Sequence, residues 1–558
     1  MPDCASIYNS HVSHTEPEGT SAATQETQIS RESRTHVSLL GYNARMKTEM
    51  IYLDTRDAQC APPAFSEAIV KGIAPSGGLF VPNQLPTLTL AEILVFAEMP
   101  YWRRAASIFS RFGVDMSDDR VDALMKQAYG SQWDDERIAP VAEVTADMHV
   151  LELWHGPTSA FKDMALQCMP LFFSESVDQL RARGQADEDY LILVATSGDT
   201  GKAALEGFAD REHTNIVVFY PADGVSDIQR KQMVTQRGSN VGVFGVRGNF
   251  DDCQSAVKAA FADEPFNAEL RDENNLRLSS ANSINWGRLL PQIVYYVSAY
   301  ADMVASGGVI AGEPMDVCVP TGNFGNILGA YYAKLLGVPI GRLLCASNEN
   351  NVLTDFIATG VYDISDRDFV NTPSPSMDIL ISSNLERLLY HLAGPEKVRD
   401  WMIELARDKR FQVDRETFAS LRTSFSGDFV TNDESLQVIR RVYDDFGYLM
   451  DPHTAVAWEV AERLRGDDPV LVVSTAHWAK FGADVFRALS GLAGSADLPA
   501  HVSSMSGVEL LGQVQEIAGD CACVPRALAE LDAATERFSE VVDAGREGVE
   551  NAVRSWLA

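Results

Sequence analysis

The chain has 558 residues, of which 46% are hydrophobic and 22% are charged, and its formal net charge is −32. This length exceeds one ordinary domain, and the composition is that of a globular protein with a large core. The strong negative charge argues against nucleic acid or an anionic membrane as a partner, and no apolar run reaches the length of a membrane span. Eight scattered cysteines do not suggest a disulfide framework, and we see no signal peptide, so we expect a cytoplasmic protein.

Two segments precede the central part of the chain. Residues 1 to 48 are rich in Ser, Thr, Glu and Gln without helical or strand periodicity, which predicts a disordered tail. Met46 and Met50 leave open a start of translation after this tail. Residues 49 to 148 form an N-terminal unit, in which IYLDTRD at 51–57 predicts a strand and turn and FSEAIVK at 65–71 predicts a helix.

One lysine stands at a predicted loop-to-helix junction, in HGPTSAFKDMALQ at 155–167. The apolar run from Asp163 to Leu180 predicts a helix that is buried on more than one side. A lysine at the start of such a helix is partly desolvated and close to the positive end of the helix dipole, and both effects lower its pKa. Lys162 therefore has the surroundings in which a neutral amine can form a Schiff base.

Two Gly-rich turns each follow a predicted strand and open a predicted helix. They are VATSGDTGKAALEGF at 194–208 and VCVPTGNFGNILGAYYAK at 317–334. Gly322 and Gly325 let the backbone approach a phosphate closely, and Asn323 and Asn326 can donate hydrogen bonds. One such turn is weak evidence, but two that can face a single lysine indicate a site for a phosphorylated cofactor.

Strand and helix patterns alternate through the central part of the chain. Apolar runs at 190–195, 215–220, 241–247, 316–320 and 342–346 predict an α/β architecture, with a parallel sheet covered on both faces. Ligands bind beyond the carboxyl ends of such strands. The segment 279–296 enters a helix through Ser283, Asn285 and Arg288. Arg288 can bind a phosphate, although a capping segment with a solvated arginine explains the same residues.

The last third of the chain is less regular. Charged helical patterns predict a helical insertion at about 361–448. PVLVVST at 469–475 then predicts a buried strand that ends in Ser474 and Thr475, and residues 491 to 558 read as helical. We thus predict an α/β core over 149–490 and a helical C-terminal segment.

These motifs together resemble the threonine synthase family, pyridoxal-phosphate (PLP) enzymes of fold type II, in its longer-chain class. The resemblance runs from about Tyr52 to the C-terminus. It implies a tryptophan synthase β-like fold of parallel sheets flanked by helices, with residues 49–148 as an N-terminal cap domain and 361–448 as a helical insertion. The chain departs from the family at Asp54 and Asp57, where Ser and Gly are usual, and at Trp478, where Pro is usual.

The resemblance also assigns roles to single residues. Lys162 is the implied Schiff-base lysine and general base, and Thr475 would meet the pyridine nitrogen. The implied cofactor-phosphate loop is Gly322, Asn323, Phe324, Gly325 and Asn326.

The substrate residues are predicted with alternatives. Ser197, Asp199 and Thr200 would lie near the substrate, and Arg288 and Arg56 are candidates for its phosphate or carboxylate. A surface salt bridge explains Arg56 equally well, and Lys202 is a weaker phosphate candidate. We predict no metal site.

The implied reaction converts O-phospho-L-homoserine and water to L-threonine and phosphate, the last step of threonine biosynthesis. Two alternatives remain on the same scaffold. One is a PLP-dependent phospho-lyase that releases 2-oxobutyrate, and the other is a non-catalytic sensor of PLP or an amino acid. The oligomeric state stays open.

Overall fold

The structure is a computed structural model, which describes residues 50 to 558. The disordered tail predicted for residues 1 to 48 lies outside the described residues. Among the residues described, no helix is both long and apolar enough to cross a membrane.

The N-terminal unit packs small elements against the rest of the chain. Its two strands, at 52–54 and 80–82, pair antiparallel, and four helices follow or separate them. Tyr52 donates a hydrogen bond to the Phe112 carbonyl at 2.8 Å, and its ring lies 5.6 Å from that of Trp286 in the core. The elements are β1 (Tyr52–Asp54), α1 (Phe65–Lys71), β2 (Phe80–Pro82), α2 (Leu90–Val95), α3 (Tyr101–Arg111) and α4 (Asp118–Ala128).

The described chain up to residue 347 then alternates strands and helices. These elements are β3 (Val141–Glu143), β4 (Met148–Glu152), α5 (Asp163–Leu166), α6 (Met169–Ala182), β5 (Asp189–Ala195), α7 (Asp199–Phe208), β6 (Thr214–Pro221), α8 (Asp227–Val234), β7 (Val241–Arg247), α9 (Phe250–Ala262), α10 (Glu264–Asn274), β8 (Leu276–Ser279), α11 (Trp286–Ser306), β9 (Met315–Pro320), α12 (Gly325–Leu336) and β10 (Ile340–Ser347).

The remainder is richer in helices. It comprises α13 (Val352–Thr359), β11 (Val361–Asp363), α14 (Leu385–Ala393), α15 (Pro395–Asp408), β12 (Arg410–Gln412), α16 (Arg415–Ser424), β13 (Phe425–Phe429), α17 (Asn432–Phe446), α18 (Pro452–Leu464), β14 (Val470–Ser474), α19 (Gly482–Leu489), α20 (Ala500–Ser503), α21 (Gly507–Ala518), α22 (Arg526–Ala529), β15 (Val541–Asp543) and α23 (Arg546–Leu557).

Two mostly parallel sheets carry the fold. The larger has six strands in the order β13-β10-β9-β14-β4-β3, with only β3 antiparallel to its neighbour. The smaller has five parallel strands in the order β15-β7-β6-β5-β8. The five apolar runs are strands as predicted, but they divide between both sheets. The α/β prediction is confirmed.

Two regions predicted to be helical also contain strands. Within 361–448, β11 pairs with β12, and β13 extends the edge of the six-stranded sheet beside β10. Within 491–558, β15 pairs with β7. These strands are three to five residues long, and β13 contains Gly427 and Asp428, so no apolar alternation marks them. Pairing with an existing edge, rather than their own sequence, makes them strands.

Helix α11 crosses the middle of the molecule. Nearly all of its 21 residues are buried, and it contacts α2, α3, α5 and α12. A helix that is apolar on all sides is one that the rest of the chain surrounds. It places Arg288 beside Ala281, just after β8, and Tyr295 and Tyr296 beside Asn326 at the start of α12.

Candidate active site

The lysine loop, residues 155 to 162, connects β4 to α5 and is built by local contacts. Thr158 donates from its backbone N–H and its hydroxyl to the two oxygens of Asp163, at 2.8 and 2.7 Å. Gly156 lies so close that a Cβ there would be 2.5 Å from Asp163 Cβ. Burial raises the pKa of Asp163 to about 6, although the hydrogen bonds from Thr158 oppose this. The loop thus closes on the first residue of α5 and places Lys162 directly before this helix.

A second anchor joins the lysine loop to the end of β14. The Phe161 N–H donates to the Thr475 carbonyl at 2.8 Å, and Ala160 forms a single antiparallel bridge with Ala476. Thr475 is 5% exposed. It therefore lies beside the lysine loop at the carboxyl end of a central strand, and its contact with a cofactor ring stays a prediction.

Lys162 is buried and makes two polar contacts through its Nζ. It donates to Ser376 Oγ at 2.8 Å and to Asp199 Oδ2 at 3.2 Å. Burial lowers the pKa of Lys162, and the Asp199 carboxylate opposes this effect. The predicted lysine thus has the environment expected of a reactive amine.

Asp199 begins α7, and Gly198 before it has φ of 129°, where only glycine is unstrained. Oδ1 of Asp199 accepts from Lys480 Nζ at 2.7 Å and from Gln229 Nε2 at 2.9 Å. Burial alone would raise the pKa of Asp199, but Lys480 and Lys162 hold it well below its ordinary value. The carboxylate is therefore ionised and occupied by two lysines, and its contact with substrate stays a prediction.

The Gly-rich turn after β9 lies against residues 374 to 384. A Cβ at Gly322 would be 2.6 Å from the Ser376 carbonyl oxygen. Ser382 Oγ donates to the Gly322 carbonyl at 2.7 Å, and the Asn384 N–H donates to the Asn323 carbonyl at 3.0 Å. Because Ser376 contacts Lys162 as well, this turn and the lysine belong to one site.

The turn leads into α12 with one buried donor that has no partner in the described residues. Phe324 has φ of 62° and caps the helix in the left-handed region, and Gly325 is the first helical residue. Asn326 Oδ1 accepts from the hydroxyls of Tyr295 and Tyr296 at 2.5 and 2.6 Å. Its Nδ2 is buried and has no partner within residues 50 to 558. A buried free donor at a helix N-terminus fits an anionic oxygen, so these residues suit a cofactor phosphate.

Arg288 is also incompletely satisfied. Its Nη1 donates to the Ala281 carbonyl at 2.6 Å, whereas its buried Nε has no partner in the described part of the chain. Burial lowers the pKa of Arg288 to about 10, and the group remains a cation at neutral pH. The alternative of a solvated arginine is therefore wrong, because the side chain is buried.

The other predicted substrate residues differ in their surroundings. Ser197 and Thr200 are partly exposed at the start of α7. Arg56 is held by Glu386, with Nε and Nη2 at 2.9 and 2.7 Å from its two oxygens. Lys202 pairs with Glu206 at 2.8 Å. Arg56 thus forms the salt bridge that was its alternative, and its contact with substrate stays a prediction.

Sequence reasoning missed two residues of this site, Ser376 and Lys480. Ser376 lies in a short turn within the predicted insertion, and its N–H donates to Nε2 of His453 at 3.1 Å. The other imidazole nitrogen of His453 lies 2.5 Å from Asp451 Oδ2. Lys480 stands only five residues after Thr475. The Ser-Pro cluster at 373–376 and the buried pattern around Lys480 were the available signals.

Three family models match the chain. They are the threonine synthase N terminus at residues 51–129, the pyridoxal-phosphate dependent enzyme model at 140–476 and the threonine synthase C-terminal model at 454–519. The second of these covers the lysine loop, α7 and the Gly-rich turn.

Curated relatives and solved structures with threonine synthase names are also similar to the chain. Human threonine synthase-like 1 is 42% identical over 455 residues, which are 80% of this chain and 60% of that protein. Threonine synthase of Saccharomyces cerevisiae is 37% identical over 469 residues, which are 79% of this chain and 89% of that protein. The PLP-bound threonine synthase of Brucella melitensis superposes with a TM-score of 0.77 at 35% identity, covering 91% of this chain and 99% of that one.

The chain thus spans less than two thirds of the human relative's length but most of the yeast and Brucella proteins. Its two-sheet α/β fold agrees with the family model and with the solved structure that it matches. The chain belongs to the threonine synthase family of pyridoxal-phosphate-dependent enzymes.

Proposed function

We propose that this enzyme converts O-phospho-L-homoserine and water to L-threonine and phosphate. The observation that supports this most directly is the buried Lys162 between Ser376 and Asp199, with a phosphate-compatible turn against the same Ser376. The family membership supports the same reaction. We also propose that the enzyme is cytoplasmic.

When bound, PLP withdraws electrons from the substrate, so that protons at Cα and Cβ become acidic enough to remove. Asn326 and the first N–H groups of α12 would hold its phosphate, and Thr475 would orient its ring. A hydroxyl at the ring nitrogen, unlike a carboxylate, does not hold that nitrogen protonated, which suits elimination and replacement at the β and γ carbons.

Lys162 would move the protons at the reacting carbons. Its amine is desolvated and burial lowers its pKa, which favours the neutral form that accepts a proton. Ser376 accepts a hydrogen bond from Nζ at 2.8 Å and thereby fixes the direction of the amine. Loss of the γ-phosphate, return of a proton to Cγ, addition of water at Cβ and return of a proton to Cα then complete the replacement.

The substrate phosphate needs donors that the protein leaves unpaired. Arg288 has a buried Nε without a partner in the described chain, and it contributes a positive charge close to Lys162. Ser197 and Thr200 supply hydroxyls at the N-terminus of α7, where the helix dipole also favours an anion. We propose that these three residues bind the substrate phosphate. Arg56 is a weaker candidate for contact with the substrate.

Release of 2-oxobutyrate is the second candidate. The human relative with 42% identity is named only threonine synthase-like, so family membership by itself does not select the product. The two reactions share every step up to loss of phosphate and differ in whether water adds at Cβ.

Purified PLP-loaded protein should therefore be incubated with O-phospho-L-homoserine, and phosphate, threonine and 2-oxobutyrate quantified. We expect threonine and phosphate in equal amounts. Lys162→Ala should abolish both, with a loss of at least about a thousandfold in turnover, because the variant lacks the amine that binds the cofactor and moves protons. Release of phosphate together with 2-oxobutyrate would show that the enzyme is a lyase rather than a synthase. Ligand binding without turnover would favour the sensor.

A further inference from the structure

The Asp199 carboxylate is shared by two lysines, and the proposed reaction uses only one of them. Lys162 lies 3.2 Å from Oδ2, and Lys480 lies 2.7 Å from Oδ1. The side chain of Lys480 is fully buried. A buried ammonium group is costly unless it is paired, so its place in the protein requires an explanation.

Lys480 is held rigidly. Its Nζ also donates to the Thr158 carbonyl in the lysine loop at 2.9 Å, and its own carbonyl accepts from Ser226 Oγ at 3.0 Å. It lies in the turn Trp478–Phe481, shortly after β14. Its ammonium thus contacts the lysine loop and the start of α7, which follow strands of different sheets.

The charges around Asp199 are not balanced. Two lysine side chains face a single carboxylate, which can neutralise only one ammonium group. Burial lowers the pKa of Lys162, Asp199 opposes this, and the positive charges of Lys480 and, to a smaller extent, Arg288 lower it further. Without Lys480, Asp199 would face Lys162 as a one-to-one ion pair and would favour the protonated amine.

We propose that Lys480 is a positioning residue, which neutralises Asp199 and thereby leaves the Lys162 amine available to react with the cofactor. Lys480 itself does not touch the reacting atoms. The inference rests on the proposed function only in that Lys162 is the cofactor lysine. A purely structural Lys480, which merely ties β14 to α7, is the competing explanation.

The two explanations differ in the pH at which Lys162 reacts. Cofactor-free full-length protein should be mixed with PLP over a range of pH, and the rate of cofactor capture followed by absorbance. Borohydride trapping and peptide mass analysis identify Lys162 as the site. Lys480→Met keeps the length of the side chain and removes its charge, and the Thr158 carbonyl retains a donor in Gln232 Nε2 at 3.2 Å.

For Lys480→Met we expect the midpoint of the rate profile to move to higher pH, with capture at neutral pH about tenfold slower and the limiting rate at high pH retained. Asp199→Asn should move the midpoint to lower pH. Lys480→Arg, which keeps the charge, should restore a profile close to that of the wild type. Lys231→Met is the matched control, because Lys231 lies on α8 and pairs with Asp227 and Asp532 instead.

Several outcomes would overturn the inference. They are an unchanged midpoint in Lys480→Met, a uniform loss of rate at every pH, or shifts of the same sign in Lys480→Met and Asp199→Asn. If Lys480→Met does not fold, Lys480→Gln, which is also neutral but keeps a hydrogen-bond donor, takes its place with the same expected shift. Since no substrate is used, failure of the proposed function would appear separately, as PLP capture on Lys162 without threonine formation.

Discussion

His155, the first residue of the lysine motif, lies between two carboxylates. Its Nδ1 is 2.5 Å from Asp134 Oδ1 and its Nε2 is 3.0 Å from Glu152 Oε2, while its ring stacks on Trp154. Burial alone would lower the pKa of His155, but these two carboxylates raise it to about 9. The imidazolium thus holds the start of the lysine loop against the end of β4. The motif identified this histidine in the sequence, but its charge state depends on a contact with Asp134, 21 residues earlier.

Replacement of His155 by Gln should make stability depend less on pH. A histidine whose folded pKa is raised contributes stability below its unfolded pKa of about 6.5, and this contribution is lost as pH rises through about 9. We expect the free energy of unfolding to fall by about 1–2 kcal/mol near pH ~6 and by less near pH ~10. The first figure is discounted for solvent screening because Asp134 is half-exposed. Urea unfolding at both pH values measures this, with His501→Gln on exposed α20 as control. Equal losses at both pH values would contradict it.

At the scale of elements, the helix predicted from Asp163 to Leu180 is broken into α5 and α6. Pro170 lacks the N–H that would bond to the Leu166 carbonyl, and its ring excludes a regular turn there. Gly207 of α7 approaches this carbonyl so closely that a Cβ would lie 1.9 Å from its oxygen. The break therefore lets α7, which carries Asp199 at its start, pack against α5, which Lys162 directly precedes.

Gly207→Ala tests this close contact. The added methyl group cannot be accommodated without moving backbone, so we expect a destabilisation of about 2 kcal/mol or more, and weaker PLP retention as α7 shifts. Denaturant unfolding and the absorbance of bound cofactor provide the measurements. Gly512→Ala in α21 is the matched control, because nothing lies within 4 Å of its Cβ position. This control should gain up to about 1 kcal/mol from helix propensity. Similar effects of both changes would refute the argument.

At the scale of the molecule, the start of α14 fastens the N-terminal unit to the core. Arg387 is fully buried and donates to the Phe80 carbonyl at 2.9 Å and to the Ile284 carbonyl at 2.6 Å. Beside it, Glu386 accepts from Thr55 at 2.5 Å and from Arg56. Asn384 contacts the Gly-rich turn. The position of the N-terminal unit is therefore linked to the loop proposed to bind the cofactor phosphate.

A double-mutant cycle of Arg56→Gln and Glu386→Gln measures this link. Glu386 is nearly buried and Arg56 partly exposed, so we expect each single change to cost about 1–2 kcal/mol and the pair to be coupled by about 1 kcal/mol. Urea unfolding gives the free energies of unfolding, and substrate KM is measured in parallel. Additive free energies, together with a large rise in KM for Arg56→Gln alone, would instead make Arg56 a substrate residue.

The sequence alone determined the features that depend on local backbone chemistry. Lys162 before its helix, the glycines of the turn at 322–326 and the apolar strands were all visible, because each follows from residues within a short window. The family, the α/β fold and the cofactor followed from these motifs and are confirmed. The helical reading of 361–448 failed at β13, since a short edge strand takes its conformation from its neighbour rather than from its own residues.

Only the tertiary structure decided the partners of the lysine. Ser376 lies 214 residues from Lys162 in the chain, and Lys480 lies 322 residues from Thr158. These contacts depend on the strand order in two separate sheets, which alternating strands and helices do not specify. In the folded chain Arg56 pairs with Glu386, and each oxygen of Asp199 contacts a lysine. Charges separated by hundreds of residues become neighbours only when the core has packed, and the state of each buried group depends on those neighbours.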